Sequence, residues 1–169
     1  MTPIVKIILT VLIVVCVLLS GFFSASEIVY SGVSKIKLKK KVEEGSKKAK
    51  AASKISDNFT DALSTILVGN NLVNILTSVV STRLAIEIWN EEIGPTMAVI
   101  LSTIIVLIFG EIVPKAVGNR YNYNLSMMFA SLFNFFRIIF FPITFVVTKF
   151  VSLLAKIWTP KAVSYTHLT

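Results

Sequence analysis

Apolar positions along this chain gather into long runs rather than alternating strips. The first run, 3–31, opens with about 20 residues broken only by Lys6 and Ser20, enough to cross a hydrocarbon core, and its helical periodicity continues through Tyr30. The second, 61–86, is less apolar and carries Asn70, Asn71 and Asn74 near its middle, while the third, 95–113, is the cleanest. These three predict transmembrane helices. The small residues Ser24, Ala25 and Ser26 are compatible with a signal cleavage site, but the preceding run is longer than a secretory signal core, which favours a retained span.

A fourth apolar stretch, 123–156, is interrupted near its centre by Arg137 and Pro142. It is long enough for another crossing. That crossing would carry Lys149, Lys156 and Lys161 to the side opposite the other basic residues. The expectation is therefore a bent amphipathic belt helix on the membrane surface, where Arg137 and Lys149 reach headgroups while the phenylalanines enter acyl chains. A tail, 161–169, follows.

Charge orients the spans. Lysines from Lys35 to Lys54 crowd the segment between spans one and two, and the short connection before span three carries Glu87, Glu91 and Glu92. Excess Lys and Arg marks cytoplasmic loops, so the lysine-rich segment and the carboxy terminus are expected in the cytoplasm and the amino terminus outside. A net charge of +8 with 54% hydrophobic residues in 169 places the chain among all-α integral membrane proteins of the multi-pass cell-membrane type. The basic segment, wedged between apolar runs, reads as a surface for anionic inner-leaflet lipids, and nucleic acid is not expected as a partner. Cys16 is alone and supports no disulfide framework.

Polar residues inside the spans carry the candidate chemistry. Ser20, Ser24, Glu27, Ser31 and Ser34 are spaced by four, three, four and three, one stripe on a helix. Asn70, Asn74, Ser78 and Ser81 make a matching stripe on span two, with Asn71 about 100 degrees away from Asn70. Serines bonding to preceding carbonyls and amides bonding between helices are ordinary in membrane bundles, but Glu27 and a group of amides at mid-span call for more. In span three, Pro114 has no amide proton, so the Gly110 carbonyl four residues earlier is expected to lose its helical partner, with Glu111 beside it; the ordinary alternative is that this segment only ends a helix, with Glu111 paired to Lys115. With the assigned topology Ser24, Asn70, Gly110 and Glu111 fall between mid-bilayer and its cytoplasmic side. A hydroxyl, an amide oxygen, a carbonyl and a carboxylate suit a hard cation such as Mg²⁺, Ca²⁺ or Na⁺. The sole histidine, His167, lies outside the spans, so nitrogen-preferring metals are poorly served. No hydrolase arrangement accompanies Ser24, and an enzyme is not expected.

The segments GFFSASE (21–27), GNNLVNI (69–75) and FGEIVPK (109–115) together resemble the transmembrane (DUF21) domain of the CorC/CNNM magnesium transporter family. The resemblance covers nearly the whole chain, 1–160. It implies a homodimer with three spans and a cytoplasmic-side belt helix per subunit, and Mg²⁺ efflux coupled to Na⁺ influx. By motif, it implies Ser24, Asn70, the Gly110 carbonyl and Glu111 as Mg²⁺ ligands, with Asn74 and Glu27 as secondary candidates for Na⁺ binding or gating. A Mg²⁺ channel and a non-transporting Mg²⁺-sensing module are the alternatives. Longer members continue into nucleotide-binding CBS domains; this sequence ends in TPKAVSYTHLT, and those domains are expected to be absent.

Overall fold

The computed structural model describes residues 2–158, with side chains up to Phe150. The tail 161–169, with Lys161 and His167, and the side chain of Lys156 lie outside the described residues. Seven α-helices and one π-helical segment account for nearly everything described: α1 (Pro3–Gly32), α2 (Lys35–Glu43), α3 (Lys47–Asp57), α4 (Phe59–Ile88), α5 (Gly94–Ile105), the π-helical segment (Val106–Ile112), α6 (Val113–Arg120) and α7 (Asn122–Trp158). α5, the π segment and α6 form one continuous apolar rod. With α1, α4 and α7 this makes four helices long and apolar enough to cross a membrane, as a multi-pass membrane protein requires.

α1 and α4 run antiparallel. Lys6, near the start of α1, lies 4.0 Å from Glu87 near the end of α4. The α5–α6 rod runs parallel to α1, since Lys115 pairs with Glu27 at 3.2 Å. One end of the bundle therefore gathers the end of α1, the start of α4 and the end of α6.

The lysine-rich segment, expected only as a loop, folds into the two short helices α2 and α3 at that end. Each starts on a serine N-cap, Ser34 accepting from the Lys37 amide and Ser46 from the Ala49 amide. Such caps satisfy amides that a helix start leaves unpaired. The hairpin is anchored inward by Leu38, Ala49, Ala52 and Ile55, all buried, and by Ser56, whose hydroxyl donates to the Tyr30 carbonyl at 3.0 Å.

α7 is a single 37-residue helix that continues through Pro142. Near its start, the Ser126 carbonyl accepts from the Tyr30 hydroxyl in the last turns of α1, at 3.0 Å. Further on, Phe129 and Phe136 pack on Phe22 and Phe23 with ring centroids 5.0 Å apart. Further still, Thr144 and Thr148 share a groove with Asp61 and Thr65, in the first turns of α4. Tyr30 and Asp61 stand at the same end of the bundle, yet Ser126 and Thr144 are about 27 Å apart along a helix rising ~1.5 Å per residue. A helix running alongside the spans would have carried Thr144 to the opposite end. α7 instead lies obliquely across the ends of α1 and α4, with Arg137 beside Lys47, Lys50 and Lys54 of α3.

Candidate functional site

The site is built around Ser20. This residue is 1% exposed, and its hydroxyl lies 2.9 Å from Asn70 Oδ1, 2.9 Å from Asn74 Oδ1 and 3.5 Å from the Gly110 carbonyl oxygen. Asn70 and Asn74 reach it together because they are one turn apart on α4. A hydroxyl has one proton to donate and faces three acceptors here, so lone pairs outnumber hydrogens at the meeting point of α1, α4 and the π segment.

Of the sequence-predicted ligands, Asn70 and Gly110 are brought together. Ser24 sits one turn along α1, also 1% exposed, and its buried hydroxyl has no hydrogen-bond partner. Glu111 makes no hydrogen bond to the Ser20 cluster. Its carboxylate accepts from Lys115 Nζ at 3.2 Å and lines a cavity of about 230 Å³ with Asn74, Thr77, Ser78, Ser102 and Thr103. Asn74 is common to both places, its amide oxygen on Ser20 and its side chain on the cavity that Glu111 faces.

Lys115 bridges two carboxylates, Glu111 Oε1 and Glu27 Oε2, each at 3.2 Å. The expected stripe on α1 therefore divides along its length. Ser20 and Ser24 are buried at the site, Glu27 belongs to this ionic group, Ser31 bonds back to the Ile28 carbonyl, and Ser34 caps α2. Asn71, about 100 degrees around α4 from Asn70, is exposed.

The backbone of the third rod corrects one expectation. An α-helix was expected up to Pro114. Instead Val106–Ile112 is π-helical, and the Val113 amide reaches back five residues to Ile108. Pro114 follows directly and has no N–H to give, so the return from the five-residue to the four-residue ladder at α6 falls beside Gly110, whose carbonyl oxygen faces the Ser20 hydroxyl. π-helical turns widen the ring of backbone bonds by one residue and recur at functional sites. Glycines on both sides let this rod approach α1. A Cβ at Gly110 would lie 2.9 Å from Ser20 Oγ, and one at Gly21 would lie 3.2 Å from the Phe109 oxygen and 3.0 Å from the Pro114 ring.

Sequence reasoning placed Ser20 on the polar stripe but did not single it out as a ligand. Its four-residue spacing to Ser24 and the paired amides of Asn70 and Asn74 were the available signal. Among the described residues no three His, Cys, Asp or Glu side chains gather closely enough to hold a metal. An ion at Ser20 would therefore be met chiefly by hydroxyl, amide and carbonyl oxygens, donors suited to hard cations.

A family model described as the cyclin M transmembrane N-terminal domain (CNNM) matches residues 11–168. A DUF21 domain-containing protein of Arabidopsis thaliana is 33% identical over 60 residues, covering 36% of this chain and 11% of that protein. A UPF0053 protein of Haemophilus influenzae is 32% identical over 149 residues, covering 88% of this chain and 35% of that one. The chain thus spans a third or so, at most, of the length of these relatives.

Proposed function

The chain belongs to the cyclin M transmembrane N-terminal domain family, and from that premise we propose that it carries Mg²⁺ out of the cell, in exchange for Na⁺ entering, through an oxygen-lined site at the level of Ser20. The observation that carries this reading is the excess of acceptors around the Ser20 hydroxyl. Oxygen atoms that have no hydrogens to share are ready to face a cation. The orphaned Ser24 hydroxyl, one turn away, would gain a partner in the same event.

Neutral oxygens alone do not distinguish one charge from two. Glu111 supplies the fixed negative charge that favours a divalent ion. Lys115 pairs with that charge at 3.2 Å, so an arriving cation competes with a tethered ammonium. Ion entry is then coupled to release of Lys115 toward Glu27, its second carboxylate partner. Mg²⁺ gives up water reluctantly, and the hydroxyl and amide oxygens serve it either directly or through retained water. The lysine-bearing end, with α2 and α3, would face the cytoplasm, α1, α4 and the α5–α6 rod would span the bilayer, and α7 would form a belt at the cytoplasmic interface.

Reconstituted in liposomes, the protein should pass Mg²⁺ down an imposed gradient, and Glu111→Gln should abolish that flux while eluting as a folded species in detergent. Wild-type flux in the folded variant would reject the charge role, and no Mg²⁺ flux by the wild-type chain would reject transport.

A further inference from the structure

We propose that the groove between α3 and α7 binds the phosphate of an anionic phospholipid drawn from the leaflet that the lysine layer faces. The groove encloses about 400 Å³ and is lined by Lys47, Lys50 and Lys54 from α3 and by Asn134, Arg137 and Ile138 from α7. Four cations converge there. Among the described residues no carboxylate comes within ion-pair distance of any of them.

The acidic neighbours are turned to other grooves. Glu43 and Asp57 share with Lys50 and Lys54 a separate groove toward α2, where Asp57 is held by Lys35 at 3.6 Å and by the Ser53 hydroxyl. Asp61 lies with Arg137 in the groove toward α4, again without an ion pair. Among the described residues the four cations on the α3–α7 side thus keep their charge without a direct ion pair.

Helix α3 adds a local inconsistency that an anion would resolve. Its first turn carries Lys47 and Lys48 and no acidic residue, although a helix N-terminus is the positive end of the macrodipole and disfavours cations. A phosphate seated against Lys47 would face that dipole end and the ammonium together. Where a sequence breaks a local rule without a compensating contact in the fold, a bound partner is a physical reason for it.

Apolar surface beside the cations selects a lipid over a free phosphate. On α7, Ile138 is 76% exposed, and Phe135, Ile139 and Phe141 are exposed as well. An amphiphile would lay its headgroup among the lysines and Arg137 and its acyl chains along these side chains, whereas inorganic phosphate would use only the cations. Bidentate geometry makes Arg137 the best single phosphate donor of the set.

The test uses the full chain in detergent micelles doped with phosphatidylglycerol or phosphatidylcholine, or in buffer with inorganic phosphate, reading lipids retained by native mass spectrometry and the thermal unfolding midpoint. Phosphatidylglycerol should be retained and should raise the midpoint, and the other two should not. Arg137→Gln and Lys50→Gln should each weaken phosphatidylglycerol retention by roughly fivefold, the factor matching ~1 kcal/mol per basic residue near an anionic surface. Lys47→Gln offers a readout that a purely structural lysine would not give: without lipid its midpoint should be unchanged or higher, because a cation has left a helix N-terminus, yet its phosphatidylglycerol response should shrink. Equal retention of both lipids, an equal shift with inorganic phosphate, or wild-type retention in all three variants would overturn the proposal. None of these readouts depends on ion flux.

Discussion

Ser20 and Ser24 lie one turn apart on α1, are equally buried, and differ in what surrounds their hydroxyls. Ser20 has acceptors to spare, while Ser24 has no partner. A buried polar group without a hydrogen bond costs about 1–3 kcal/mol, so Ser24→Ala should raise the stability of the ion-free protein by about 1 kcal/mol while weakening Mg²⁺ binding, both read from thermal unfolding with and without Mg²⁺. A stability gain with undiminished Mg²⁺ affinity would remove Ser24 from the site. Ser20→Ala should lower affinity by roughly tenfold, as expected for losing an oxygen that meets a charged group. Gly110→Ala should act on the same hydroxyl indirectly, because its Cβ would come within 2.9 Å of Ser20 Oγ. The polar stripe was legible in the sequence as a set of candidates. Which member meets Asn70 and Asn74 depends on the register between α1 and α4, a packing outcome that no local spacing encodes.

At the scale of elements, the π-helical segment and α7 were only half legible. Pro114 announced a missing backbone donor but not the five-residue ladder that precedes it, which no residue pattern in the segment signals. Proline inside a helix costs ~3 kcal/mol or more. Pro114→Ala should therefore stabilise the fold and, by letting the ladder close, weaken Mg²⁺ binding in isothermal titration; unchanged affinity would show the wider turn to be incidental to the ion. The α2–α3 hairpin could have been anticipated from Ser34 and Ser46, each followed by a run of lysines with good helix propensity. For α7, hydropathy alone allowed two placements; the Tyr30–Ser126 hydrogen bond and the groove shared by Asp61 and Thr144 are the geometry on which the proposed surface placement rests. Cysteines introduced at Arg137 and Lys149 should react with an impermeant thiol reagent from the same side as one introduced at Lys48, the native Cys16 being 2% exposed. Labelling of the Arg137 and Lys149 cysteines from opposite sides would make α7 a fourth span.

Over the whole molecule, polarity is distributed unevenly along the bundle axis. The ionic group of Glu27, Glu111 and Lys115 and the oxygens around Ser20 lie toward the lysine-bearing end. The cavity that Glu111 faces runs between α4 and α5 as far as Thr77 and Ser102. A second cavity of about 190 Å³ begins at those same two residues, and its walls are then almost entirely apolar, from Ile13, Leu84, Ala85, Ile88, Trp89 and Leu101. A dehydrated or partly hydrated cation finds partners up to Thr77 and Ser102 and very few beyond. Charge in such surroundings is expensive, so the proposed transport would need the helices to rearrange around the ion rather than a continuously conducting pore. That separates exchange from conduction by experiment. In proteoliposomes with a fixed Mg²⁺ gradient and clamped membrane potential, collapsing the Na⁺ gradient should suppress Mg²⁺ movement if the two ions are exchanged. Leu101→Asn, which places an amide in the apolar cavity, should raise Mg²⁺ leak that no longer depends on Na⁺. Mg²⁺ flux indifferent to Na⁺ in the unmodified protein would instead identify a channel, and Mg²⁺ binding without flux under either gradient would identify a sensor.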